Sequence, residues 1–138
     1  MNKLNQVLIV DDDEVNNVFC KIVIEHMGIS GDVHYCMSGP EALAYLKECI
    51  STGMPIPELI LLDINMPFMD GFEFLNTYHA LGYDRNLHTK ISMLSSSDVE
   101  KDVKAALKYN SVIDYVTKPL SEAALNRLVY KLSSPSQS

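Results

Sequence analysis

The sequence predicts an α/β protein: a doubly wound, five-stranded parallel sheet with helices on both faces, built as (βα) repeated five times. Short β-like apolar runs alternate with helix-like segments along the whole chain. Most of those runs are continuous rather than alternating, as strands covered on both faces require. Acidic residues stand directly after two of the runs, where open α/β sheets place their sites.

The predicted strands are Val7 to Val10, Val33 to Cys36, Leu59 to Leu62, Ile91 to Leu94 and Val112 to Val116. The second, Val-His-Tyr-Cys, is the least apolar and reads as an edge strand. The first helix spans Glu14 to Met27, where Val15, Val18, Phe19, Ile22 and Val23 recur at helical spacing and Gly28 ends the run. Ser38-Gly39-Pro40-Glu41 has the form of a capping box and opens a second helix carrying Leu43, Leu46 and Ile50. A third runs from Gly71 to about Leu81 with Asp70 as its N-cap. Ser97-Asp98-Val99-Glu100 starts a fourth, followed by Val103, Ala106 and Leu107, and Ser121 caps a fifth with Leu125, Leu128, Val129 and Leu132. Ser51 to Pro57 and Gly82 to Thr89 are the longest predicted loops, and Ser133 to Ser138 a frayed tail.

A chain of 138 residues suggests one domain with a core large enough to need no disulfide or structural metal. The formal net charge of −7, with no basic run, argues against an electrostatic nucleic-acid binder. No apolar run approaches the roughly 20 residues of a membrane span, and the N-terminus lacks the features of a signal peptide. Cys20, Cys36 and Cys49 lack metal-ligand spacing and read as reduced core residues of a cytoplasmic protein.

Asp11, Asp12 and Asp13 follow the first strand, and Asp63 ends the third. In the strand order 2-1-3-4-5 those strands are neighbours, about 4.8 Å apart; in the order 3-2-1-4-5 another strand separates them. The first order is favoured because it gives the acids one site. Two carboxylates about 4 Å apart repel by roughly 4 kcal/mol at an effective dielectric near 20, so one protonates or a cation binds. A few hard oxygens suit Mg²⁺, are too sparse for a Ca²⁺ cage, and without His or Cys do not suit Zn²⁺. Ser95 and Lys118 end the fourth and fifth strands and point into the same crevice. A divalent metal, an ammonium, a hydroxyl and carboxylates together describe a phosphoryl site in which one carboxylate is the nucleophile.

The segments VLIVDDDE, LILLDINMPFMDG, ISMLSSS and DYVTKPL, in that order at successive strand ends, resemble the receiver domain of two-component response regulators. The resemblance covers about residues 5 to 132 and implies a flavodoxin-like fold in a single-domain, chemotaxis-type receiver. It implies that Asp63 is the phosphoacceptor and Asp12 the direct Mg²⁺ ligand. Asp11 would hold the metal through water, and the backbone carbonyl of Asn65 would contact it; Mn²⁺ is a possible substitute. Ser95 would be the switch hydroxyl, Lys118 the lysine that pairs with the phosphoryl group, Tyr115 the switch aromatic and Lys118–Pro119 a cis peptide. The Asn65 side chain and Ser97 would modulate the phosphoryl lifetime. The implied partner is a sensor histidine kinase or histidine phosphotransfer protein, with output through the face of the fourth helix, fifth strand and fifth helix. The implied protein is cytoplasmic and bacterial, with no direct nucleic-acid or membrane partner, and a monomer or a phosphorylation-dependent dimer. The Met1 start and polar tail suggest a complete, stand-alone chain.

Two features depart from the usual family pattern. The first acidic run has three Asp rather than two, so a slip of one residue would move the metal role to Asp13. Ser95 stands where Thr is commoner. Each residue also has a plainer reading: a turn or cap for the first acids, a strand end for Asp63, a loop hydroxyl for Ser95, a surface lysine for Lys118, a buried tyrosine for Tyr115. The four histidines are dispersed and read as structural or exposed. Two other functions compete. A haloacid-dehalogenase-like phosphohydrolase would need an acid two residues after Asp63, where Asn65 stands. A pseudo-receiver, a binding module without the chemistry, would typically have lost the acceptor or the lysine, and both are present.

Overall fold

The computed structural model describes residues 3–96 and 100–133. The strands are β1 (Val7–Val10), β2 (Val33–Cys36), β3 (Leu59–Asp63), β4 (Lys90–Ser95) and β5 (Val112–Thr117). They pair in parallel in the order β2-β1-β3-β4-β5, the order that brings β1 beside β3. The helices are α1 (Glu14–His26), α2 (Gly39–Thr52), α3 (Gly71–Ala80), α4 (Tyr83–Asn86), α5 (Glu100–Leu107) and α6 (Glu122–Ser133). The fourth and fifth predicted helices are therefore α5 and α6.

Alternate residues of the sheet feed two apolar layers. Leu8, Val10, Ile60, Leu62, Ile91 and Met93 pack with α2, α3 and α5 through Leu46, Phe74, Leu75, Tyr78 and Ala106. Val7, Ile9, Leu59, Leu61 and Leu94 pack with α1 and α6 through Cys20, Ile24, Leu125 and Leu128. Both faces of the sheet are thus covered, which is why its central strands read as unbroken apolar runs. The three cysteines are free and buried.

Four expectations need correction. Of the five apolar positions of α1 only Val23 packs against the core: Val15, Val18, Phe19 and Ile22 are exposed, and Asn17, Cys20 and Ile24 are buried. The loop predicted from Ser51 begins later, because Ser51 Oγ and Thr52 Oγ1 both donate to the Glu48 carbonyl and complete the last turn of α2. Gly53, with φ 73°, then ends it. The loop from Gly82 to Thr89 contains α4, one turn closed by Asn86 N–H to Gly82 O and Leu87 N–H to Tyr83 O. Ser133 belongs to α6 rather than to a tail; the rest of that tail, and the Ser97 to Val99 start of the fourth predicted helix, lie outside the described residues.

Candidate functional site

The acids meet at the carboxyl edge of the sheet because of register. Val10 pairs with Leu62, so the next residues, Asp11 and Asp63, leave neighbouring strands at the same level. Asp63 pairs with Leu94, and Ser95 with Thr117. Ser95 and Lys118 therefore follow one step further along, and Lys118 N–H donates to Ser95 O at 2.6 Å. The Lys118–Pro119 peptide is cis.

Each loop is pinned by its own hydrogen bonds. Asp13 caps α1, its carboxylate accepting from Val15 N–H and Asn16 N–H. It lies outside the cluster formed by Asp11, Asp12 and Asp63, so the carboxylates that converge are those of the frame with Asp11 and Asp12 as the pair. At the other loop, Asp70 and Glu73 form a reciprocal capping box at the start of α3. Gly71 donates its N–H to Ile64 O at 2.8 Å. A Cβ at Gly71 would lie 2.8 Å from Asp63 O and 2.9 Å from Ile64 Cα, so backbone contact explains the glycine. Between these anchors Phe68 adopts φ 68° and is fully exposed, a conformation uncommon for a bulky residue. Asn65 is exposed on the same loop.

Asp11 and Asp63 are buried and Asp12 is exposed, and carboxylate oxygens of all three lie within 4.8 Å of one another. Lys118 Nζ bridges the buried pair, 2.7 Å from Asp11 Oδ2 and 3.5 Å from Asp63 Oδ1. Burial, then the charge of Asp11, pushes the Asp63 pKa up to about 6 against the pull of Lys118, with Asp12 adding to the rise. Burial alone would lower the Lys118 pKa, but its hydrogen bond to Asp11 and the charges of Asp63 and Asp11 outweigh that and hold it above the ordinary lysine value. Ser95 is buried beside them, and Tyr115 is partly buried against the layer that contains Met93. Ser97 lies outside the described residues.

The donor set is all oxygen and arranged around a shared space, which fits a hard divalent ion such as Mg²⁺. Two residues that the sequence reading passed over also touch Asp11. Asn16 Nδ2 donates to Asp11 Oδ2 at 2.8 Å, and the buried Asn17 donates its Nδ2 to the Asp11 backbone oxygen at 2.9 Å. Their signal was position: both lie in the first turns of a helix that starts at the acidic strand end.

A five-stranded parallel sheet in this order, with clustered acids, a lysine and a hydroxyl at its carboxyl edge, is a doubly wound α/β domain with its polar residues gathered where that class places its sites. The family model of the response regulator receiver domain matches residues 7–130, and the chain belongs to that family. A two-component response regulator from Cytophaga hutchinsonii superposes with a TM-score of 0.86 at 31% identity, covering 95% of this chain and 98% of that one. The two-component response regulator ORR41 of Oryza sativa is 28% identical, with 94% of each chain covered. The chemotaxis protein CheY4 of Vibrio cholerae shares the fold, with a TM-score of 0.74 at 23% identity over 94% of this chain and 98% of that one. The chain is therefore the receiver domain of a two-component response regulator, with the flavodoxin-like fold of CheY-like receivers. No helix among the described residues is long and apolar enough to cross a membrane.

Proposed function

We propose that Asp63 is the phosphoacceptor and that a histidine kinase or phosphotransfer protein supplies the phosphoryl group. The observation that carries this is the convergence of the Asp11, Asp12 and Asp63 carboxylates within 4.8 Å, with Lys118 between the two buried ones. Asp11, Asp12 and Asp63, with the Asn65 carbonyl, would hold Mg²⁺, which would neutralise the carboxylates and the equatorial phosphoryl oxygens. An Asp63 carboxylate oxygen attacks phosphorus, the P–N bond to the donor imidazole breaks, and the imidazole leaves with the bond's electron pair. Lys118 then pairs with the new phosphoryl charge, and the Ser95 hydroxyl donates to one of its oxygens. Tyr115 follows inward and alters the face of α5, β5 and α6, where an output protein binds. Asn65 and Ser97 tune the lifetime of the acyl phosphate. Residues 5 to 132 form the core of this one domain.

The exposed face of α1 supports a docked donor. Val15, Val18, Phe19 and Ile22 are 79%, 42%, 42% and 58% exposed on the helix that Asp13 caps directly after the acids of β1, where a helical partner carrying phosphohistidine would cover them. Intact-mass spectrometry with phosphoramidate and Mg²⁺ tests the reading. The expected result is one added phosphoryl group, lost in Asp63→Asn and without Mg²⁺; an unchanged mass in the wild type, or a phosphoryl group persisting in Asp63→Asn, would overturn it. With a phosphorylated donor protein as source, Phe19→Ala should slow transfer while leaving phosphorylation by phosphoramidate unchanged.

A further inference from the structure

Asp11 is almost completely buried, and among the described residues three donors hold its carboxylate. Oδ1 accepts Asp13 N–H at 2.9 Å, and Oδ2 accepts both Asn16 Nδ2 at 2.8 Å and Lys118 Nζ at 2.7 Å. These donors are not equally permanent. Lys118 is shared with Asp63, so an anionic group arriving there competes with Asp11 for it. Once Lys118 leaves, Asn16 is the side chain that still fixes Oδ2.

Asn16 is itself oriented. Cys20, one turn further along α1 and fully buried, places its Sγ 3.8 Å from Asn16 Oδ1. Burial, then the Asp11 charge, pushes the Cys20 pKa up to about 12, so the thiol stays protonated and can donate. The Oδ1 end of the amide thus faces the thiol and the Nδ2 end faces the carboxylate. An amide is suited to this position because it fixes a carboxylate without neutralising it. A second ammonium here would compete with a metal ion, and a carboxylate would repel Asp11.

We propose that Asn16 is a positioning residue: it keeps the Asp11 carboxylate aimed into the pocket, beside Lys118 before phosphorylation and without it once Lys118 turns to the phosphoryl group, and cation binding by the acid cluster depends on it in both states. This rests on reading the cluster as the metal site of a phosphoacceptor. The test uses Mg²⁺ alone, titrated into the unphosphorylated full chain and followed by NMR shifts. Asn16→Ala should weaken Mg²⁺ binding roughly tenfold, as loss of a partner behind a metal ligand typically does. Its melting temperature should stay close to wild type, since Ala suits a helix interior. In an Asp11→Asn background the same substitution should have little further effect, because residues that act through one contact are non-additive. Asn16→Leu, which has the same branching but lacks the donor, serves if the alanine variant is unstable. Failure of the wild type to bind Mg²⁺ would overturn the metal-site reading itself. Wild-type binding with unchanged affinity in Asn16→Ala and Asn16→Leu would overturn the role of Asn16 alone, as would equal losses in the wild-type and Asp11→Asn backgrounds.

Discussion

The loop between β3 and α3 begins and ends on an aspartate, and the two carboxyls live in opposite surroundings. Asp63 is 4% exposed, faces two other acids and has one cation at 3.5 Å. Asp70 is partly exposed, accepts Glu73 N–H at 2.8 Å and returns its own N–H to Glu73 Oε1 at 3.0 Å. One end of the loop carries an electrostatic cost and the other is satisfied by local hydrogen bonds. The difference teaches that an acid's role is set by what surrounds it.

The largest expected effect tests the charged end. With the Asp63 pKa at about 6 in the fold against an ordinary 3.8, the folded state binds the proton more tightly than the unfolded one. That contribution is fully present below about pH 4 and is lost as pH rises through 6. Above it, the buried carboxylate costs the fold about 3 kcal/mol. In chelator-treated buffer, Asp63→Asn should therefore be more stable than the wild type by about 2–3 kcal/mol at pH 8 and by little at pH 4. Saturating Mg²⁺ should narrow the gap by stabilising the wild type. Urea denaturation at both pH values measures this, and a gain that does not change with pH would break the contrast.

The next effect joins the two ends. Gly71 lies beside Asp70, yet the space it leaves open belongs to the Asp63 carbonyl. Gly71→Ala should cost about 1–3 kcal/mol by overpacking. It should also slow phosphorylation from phosphoramidate, since the clash displaces the Asp63 backbone. The loss of stability should be the same at pH 5 and pH 8, whereas the gain in Asp63→Asn grows with pH. Wild-type stability together with a wild-type phosphorylation rate would show that the loop yields elsewhere.

Much of this contrast was legible in the sequence, for reasons the structure makes clear. Continuous apolar runs marked the strands because both sheet faces are covered, and the acids selected the strand order because only one order lets them meet. The orientation of α1 was not legible. Periodicity shows that a helix has an apolar stripe, not which way the stripe faces. Here Val15, Val18, Phe19 and Ile22 face outward, while the inner side carries Asn17 and Cys20 because its first turns abut the buried Asp11. Asn16 was missed for the same reason: its role lies in a contact with a strand end, not in any pattern along the helix. Likewise, the position of Lys118, nearer Asp11 than Asp63, depends on side-chain geometry that spacing does not encode.

The smallest effect tests the satisfied end. Asp70→Ala removes one half of the capping box and should cost about 1 kcal/mol of stability. Asp70→Asn, which keeps an acceptor oxygen, should recover most of that loss. Neither variant should change the pH dependence assigned to Asp63, because the Asp70 carboxylate is engaged by its own helix rather than by the acid cluster. Phosphorylation by phosphoramidate should proceed at the wild-type rate in both. If Asp70→Ala instead lost phosphorylation while remaining folded, the loop would be transmitting its cap to Asp63, and the separation between the proposed phosphoacceptor and an acid that only anchors would no longer hold.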